Sequence, residues 1–246
     1  LAEGFAYQGE KSKHSGKTRG VASTGQPPVA FVDFIQNHDQ VGNRAFGERL
    51  LTIAGPEKVK ALLSALLLSP HIPLLFMGEE FGETRPFLFF TDFHGDLAKA
   101  VREGRRKEFE GHAGHGKEDE EIPDPNGETT FTGCKLDWDK PDSMEGREWM
   151  DLTRDLLALR REAIVPMLGS ARAAGGRILK AEAGLVAVAW RFPKGEIGMA
   201  INLGNRPLPL PDLPGEPAHR LPADAGEGGM LGPDGIVVTI KAGGRA

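Results

Sequence analysis

The sequence holds one cysteine, Cys134, so no intrachain disulfide can form. Such sparse use of cysteine suits a reducing compartment such as the cytoplasm. Long hydrophobic runs are also lacking. None reaches the roughly 18 residues that a membrane helix requires, and Ala61 to Leu68 is interrupted by Ser64 and stopped by Ser69-Pro70. No membrane partner is expected. Leu1-Ala2-Glu3-Gly4 has neither a basic segment nor an apolar one, so it does not read as a secretory leader. Basic clusters are short: acidic residues follow Arg105-Arg106-Lys107, and a solvated helix end accounts for it. With a formal charge of −5, the chain offers no electrostatic reason to expect nucleic acid as a partner. No internal repeat is visible. The first residue is not methionine, which raises the expectation of a piece of a longer protein.

What is present describes a globular chain. Its 246 residues are 39% hydrophobic and 26% charged, enough to bury a core in one large domain or two smaller ones. Residues 1–28, rich in Gly, Lys and Ser, read mainly as loop. Val29 to Ile35 is apolar apart from Asp33, as in a strand buried on both faces of a parallel sheet. Gly55-Pro56 opens a helix whose Val59, Leu62, Leu63, Leu66 and Leu67 form one stripe, and Ser69-Pro70 closes it. Ile72 to Met77 is a second apolar strand, completing a βαβ unit. Glu108 to Cys134 reads as a long loop. Asp142 with Glu145 resembles a capping box, and Trp149, Leu152, Leu156, Leu159 and Ala163 space one helical face, with Pro166 and Gly169 ending it. Beyond Gly169 the period changes to two. Leu185 to Phe192 and Glu196 to Leu203 flank Pro193-Lys194-Gly195, a hairpin signal, and Ile236 to Ile240 reads as a closing strand. The expected domains are residues 1–168, with α/β character, and residues 169–246, a small antiparallel β-domain.

The chemistry concentrates in residues 31–49, FVDFIQNHDQVGNRAFGER. The polar group Gln36-Asn37-His38-Asp39-Gln40 follows the first apolar strand. Parallel α/β folds build sites at that end of their strands. A capped turn would use the same residues, because turns favour Asn and Asp. One carboxylate beside one imidazole does not specify a reaction.

The wider pattern resembles a known family. The Asn-His-Asp segment after an apolar strand is similar to a late signature of the α-amylase superfamily. Residues 36–50, QNHDQVGNRAFGERL, resemble the malto-oligosyltrehalose trehalohydrolases more specifically. Residues 72–93, IPLLFMGEEFGETRPFLFFTDF, resemble that family's eighth barrel strand and the loop behind it. Residues 101–109 and 124–138 continue the match in order, so the resemblance covers roughly residues 1–165. It implies an α/β fold: the C-terminal part of a (β/α)8 TIM barrel, strands seven and eight with their helices, followed by the small all-β, sandwich-like domain. It also implies a retaining glycosidase that cleaves the α-1,4 bond next to the trehalose unit of maltooligosyl trehalose, without a cofactor. By motif match, Asp39 would stabilise the transition state and His38 would bind the same sugar. The fourth-strand segment carrying the nucleophile and the fifth-strand glutamate are not found, so the chain alone is expected to be inactive. The missing N-terminal part of its own chain would be its partner.

Other candidates are weaker. Arg44 could reach a sugar, but a structural salt bridge is the preferred reading. Glu80 could contact substrate, although strand alternation lets at most one of Glu79 and Glu80 do so. Phe87, Phe89, Phe90 and Phe93 could stack on sugar rings or pack internally. His112 and His115 beside acidic residues read as a solvated acidic loop rather than a metal site. Cys134 reads as structural. In the family loop that residues 5–20 resemble, an aromatic is common where Lys11 stands, which puts that stacking surface in doubt. Two competing readings are another enzyme of the superfamily, a branching enzyme or an amylase, and a non-catalytic carbohydrate-binding protein.

Overall fold

Strands begin earlier than the Gly- and Lys-rich opening suggests. In the computed structural model, which describes residues 1–13, 15–23, 25–109, 121–168, 175–182 and 184–243, β1 (Gln8–Lys11) pairs antiparallel with β2 (Thr18–Gly20). The hairpin is polar and largely exposed, so no apolar alternation announces it. Gly20 is needed there: at φ +73° an added Cβ would strike the Tyr7 carbonyl.

The two apolar segments do form a parallel pair, β3 (Val32–Asp33) with β4 (Ile72–Pro73). Both are shorter than expected. Pro28–Ala30 is a 3-10 turn, which consumes the start of the first run, and Pro73 brings no N–H to extend the second. Burial on both faces is also corrected. Val32 is 57% exposed, Ile72 41% and Leu74 46%. Among the described residues the pair has no further strand on either edge, so nothing covers those side chains as a wider sheet would. The chain is mixed α/β, and no closed barrel forms among the described residues.

The helices, in order, are α1 (His38–Gly42), α2 (Leu50–Ala54), α3 (Pro56–Leu68), α4 (Gly95–Phe109), α5 (Glu128–Gly133), α6 (Met144–Leu159) and α7 (Val165–Leu168). In α3, Val59, Leu63, Leu66 and Leu67 of the expected stripe are buried and Leu62 is half-buried, while Ala61, Ser64, Ala65 and Leu68 are buried beside them. α5 lies inside the stretch read as a loop; at six residues it is too brief to show a period. The cap of α6 is Ser143, whose Oγ accepts from Gly146 N at 2.9 Å, and not Asp142, which closes a 3-10 turn. Pro166 does not end the helix. Residues Arg160–Ile164 form a π turn and α7 continues from it, so Pro166, which has no N–H for the helical ladder, directly follows the irregular turn.

Clustering by proximity gives one unit of residues Leu1–Phe34, Glu57–Leu74 and Thr153–Ala246, and another of Ile35–Pro56 and Leu75–Leu152. The boundary expected at Gly169 lies outside the described residues. In the first unit a five-stranded antiparallel sheet runs in the order β5 (Arg177–Glu182), β6 (Leu185–Phe192), β7 (Gly195–Asn202), β11 (Gly235–Ala242) and β9 (Glu216–Leu221). A short pair, β8 (Leu208–Pro209) with β10 (Met230–Leu231), lies in the connection that resisted sequence reading. Leu185, Ala187, Ala200, Leu208, Ala225, Leu231 and Val237 make one core cluster. α3 is tied to this sheet by Lys58 Nζ, which donates to Asp234 Oδ1 at 2.6 Å and to Leu203 O at 2.9 Å. Arg160 is buried and donates to the carbonyls of Leu67, Ser69 and His71, fastening the end of α3 to the start of β4. His71 Nδ1 lies 2.5 Å from Asp33 Oδ2, so the one polar interruption of the first apolar run is engaged across the strand pair.

His219 lies against the same helix, with Nε2 3.1 Å from Ser64 Oγ. Burial lowers its pKa from the usual 6.5 because the charged ring would lose water. The folded chain therefore holds this proton less tightly than the unfolded one. The stability gained from the neutral ring is complete above about pH 6.5 and is lost as pH falls below it. Urea denaturation at pH 7.5 and 5.5 should show a larger loss for the native protein than for His219→Gln; equal losses would remove His219 from the cause.

Candidate active site

The segment after β3 becomes α1, a single turn with Asn37 as its N-cap. Asn37 Oδ1 accepts from Gln40 N at 3.0 Å, so the capping role weighed from sequence is real. Capping also frees the next two side chains to project. His38 and Asp39 are 71% and 73% exposed, with Nε2 and Oδ1 3.4 Å apart. An imidazole N–H donor and a carboxylate acceptor side by side suit neighbouring sugar hydroxyls. Asp39 does not turn inward onto Arg44. Arg44 is instead paired with Glu48, Nε to Oε2 at 3.1 Å.

Behind this exposed pair lies a buried polar layer. Gln36 is 5% exposed, and its Oε1 accepts from Leu50 N at 2.9 Å, which ties the start of the segment to the start of α2. Arg49 is 1% exposed; Nε donates to Arg85 O and Nη1 to Met77 O, both at 2.7 Å, and the guanidinium lies over the Phe76 ring. Burial lowers its pKa, while Glu83 and Glu79 favour its charge. Glu83 is fully used: Oε1 accepts from Thr84 N and Arg85 N, and Oε2 from Asp137 N. Glu79 is different. Its Oε2 accepts from Phe76 N at 2.8 Å, but burial pushes the carboxyl up to about 7 despite Gln36 and Arg49, which favour the charged form. Among the described residues, Glu79 Oε1 and Arg49 Nη2 are buried without a hydrogen-bond partner.

Of the adjacent carboxylates, Glu79 is thus buried and Glu80 half-buried, in a 3-10 turn rather than on a strand end. Arg105 corrects the view of 105–107 as a solvated helix end. It is 7% exposed, and Nη2 donates to Gly42 O and Arg44 O at 2.8 Å, which holds the residues behind Asp39 to α4. Cys134 is buried and its pKa is raised, as befits a structural thiol. Phe89, Phe90 and Phe93 stay partly exposed, whereas Phe87 packs edge-on against Phe76 and Phe90. His112 and His115 lie outside the described residues. Among the described residues, no group of three or more His, Cys, Asp or Glu could hold a metal ion, and no helix is long and apolar enough to cross a membrane.

Sequence reasoning missed Gln36, Arg49, Glu79, Glu83 and Arg105 as a layer. The available signal was the glycine spacing. Gly47, Gly78 and Gly82 all have positive φ, and each flanks one of the buried charges.

No family model matches the chain. Curated relatives do. The malto-oligosyltrehalose trehalohydrolase of Deinococcus radiodurans is 43% identical over 164 residues, covering 66% of this chain and 27% of the relative. That of Rhizobium sp. (strain M-11) is 37% identical over 220 residues, covering 87% of this chain and 35% of the relative. The chain is similar to the malto-oligosyltrehalose trehalohydrolases over most of its own length, and it spans about a third of theirs. A Salmonella typhimurium structure described as a candidate α-amylase matches with TM-score 0.91 and 57% identity, over 98% of this chain and 40% of that one. Isomaltulose synthase SmuA from Protaminobacter rubrum matches with TM-score 0.52 and 17% identity, over 85% of this chain and 42% of that one, a likeness of fold alone.

Gly47 sits at φ +61°, and a Cβ there would lie 2.5 Å from Phe87 O. Gly47→Ala should lower stability by about 1–3 kcal/mol through backbone strain alone. Urea titration checks this; unchanged stability would mean that the turn behind Asp39 yields freely.

Proposed function

We propose that this chain supplies the sugar-holding part of a retaining glycoside hydrolase that cleaves the α-1,4 bond next to the trehalose unit of maltooligosyl trehalose. β3 and β4 are read as the seventh and eighth strands of a (β/α)8 barrel, with residues 1–168 as its C-terminal portion and 169–246 as a separate β-domain. The observation that carries the proposal is Asp39 beside His38 on a capped turn directly after β3, within residues that match the family. Asp39 holds the sugar at the cleaved bond in its distorted form, and its carboxylate gains as positive charge develops on the ring. His38 donates to a hydroxyl of the same sugar. Removing a charged hydrogen bond of this kind costs about 1.5–3 kcal/mol. Arg44, already paired with Glu48, and Glu80 are assigned a secondary place in substrate binding. The nucleophile and the acid/base carboxyl come from elsewhere in the whole protein, so this chain alone releases no trehalose. The exposed Val32, Ile72 and Leu74 fit strands that gain neighbours in a longer chain.

A second reading is favoured by the Salmonella typhimurium structure, whose description names an α-amylase. It predicts hydrolysis of starch to plain maltooligosaccharides. Incubating the whole protein with maltooligosyl trehalose and with soluble starch separates the two by product. Free trehalose is expected, and Asp39→Asn should reduce its rate on the order of a hundredfold. Full activity in Asp39→Asn, or starch products without trehalose, would overturn the first reading.

A further inference from the structure

Resting on that reading of Asp39, we infer that Arg105 is a positioning residue: by gripping the far end of α1 it fixes where the Asp39 carboxylate points. α1 is a single turn, and the carbonyls at its end have no donor within the helix. Asp39 O accepts from Asn43 N at 3.0 Å. The same peptide group presents Gly42 O to Arg105 Nη2 at 2.8 Å. One planar unit therefore joins the guanidinium to the Asp39 backbone, and a charged donor on its carbonyl strengthens its N–H as a donor. Nη2 also donates to Arg44 O at 2.8 Å, so the carbonyls of the residues on both sides of Asn43 are held by one nitrogen. With Asn37 capping the front of the turn, Asp39 is fixed from both ends.

Arg105 is itself held in place. Nη1 donates to Glu108 Oε2 at 2.9 Å, and the guanidinium lies over the Phe109 ring at 4.6 Å and the Phe89 ring at 5.3 Å. The segment leading to Phe89 is anchored behind the same turn, where Phe87 N donates to Gly47 O at 2.8 Å. A tie between two helices needs no buried charge, because apolar side chains would hold them with less loss of hydration. A guanidinium adds what they cannot: donors at fixed angles to chosen carbonyls. Asp39 depends on such a support. Its side chain is 73% exposed, so its aim comes from the backbone beneath it. A misplacement of about 1 Å in a group of this kind can cost on the order of a hundredfold in rate.

A residue that acts only through Asp39 should lose its effect once that carboxylate is gone. In the whole protein acting on maltooligosyl trehalose, Arg105→Met, which keeps the bulk and removes the donors, should lower kcat at least about tenfold with KM within about threefold. In the Asp39→Asn background the same substitution should change kcat less than about twofold. Native kcat in Arg105→Met, or losses that multiply in the double variant, overturns the inference. If Arg105→Met does not fold, Arg105→Lys takes its place: a lone ammonium cannot match the planar fork, so kcat should fall at least about threefold, and this loss too should vanish beside Asp39→Asn. Native kcat or multiplied losses overturn the inference here as well. If the native protein releases no trehalose, or Asp39→Asn is fully active, the functional reading fails by itself. The grip on α1 is then read from amide hydrogen exchange in Arg105→Lys, which should quicken over residues 38–44 and stay unchanged over 56–68. Unchanged exchange over 38–44, or an equal rise in both stretches, overturns it.

Discussion

Burying the Arg49 guanidinium obliges the chain to bring oxygen atoms to it, and most of the site-bearing unit follows from that. An unpaired charge at this depth would cost several kcal/mol. The carbonyls of Met77 and Arg85 meet it, and the Phe76 ring lies beneath it. Meeting it draws the segment after β4 to the start of α2. Glu83 then folds that segment by accepting three backbone N–H groups, one of them from Asp137. Gln36 completes the arrangement by joining Leu50 N. The result is a stiff support with an exposed His38–Asp39 pair in front of it. Stiffness behind and exposure ahead are what a site needs if its side chains are to meet a ligand already aligned.

Where one face of an element is buried, the sequence could be read. α3 carries its stripe on a helical period, and β6 was placed to its end residues by its mostly apolar content and the Pro193-Lys194-Gly195 hairpin signal behind it. β5 was missed because its exposed, charged residues give no alternation. Short elements escaped for the same reason: α5 and the β1–β2 hairpin are too small or too polar to leave a pattern. The two parallel strands were recognised but drawn too long. Apolar content marks where a strand can run, whereas pairing decides where it does, and prolines at 28 and 73 cut that pairing short.

The site was legible only on its outer side. His38 and Asp39 stand out through the resemblance of the Asn-His-Asp run to a family signature, since by chemistry alone a capped turn would use the same residues. The layer beneath them does not, because Arg49, Glu79 and Arg105 look like ordinary surface charges in a linear reading. Burial of a charge is decided by distant backbone groups: Arg85 O is supplied 36 positions away from Arg49, and Gly42 O 63 positions away from Arg105. No local pattern encodes such a partner. The positive-φ glycines at 47, 78 and 82 were the nearest thing to a local trace.

The π turn at Arg160–Ile164 has a consequence for how the chain can vary in length. Such a turn is a helix holding one residue more than its regular form. Deleting a single residue there would tighten it to an ordinary α-helix, and the residues downstream would keep their facing because the wide turn had absorbed the extra one. Arg160, which reaches three carbonyls of the α3–β4 corner, would stay in place, and Met167, buried beyond it, would stay on its buried side. The turn is thus a place where the chain can lose one residue without disturbing this corner.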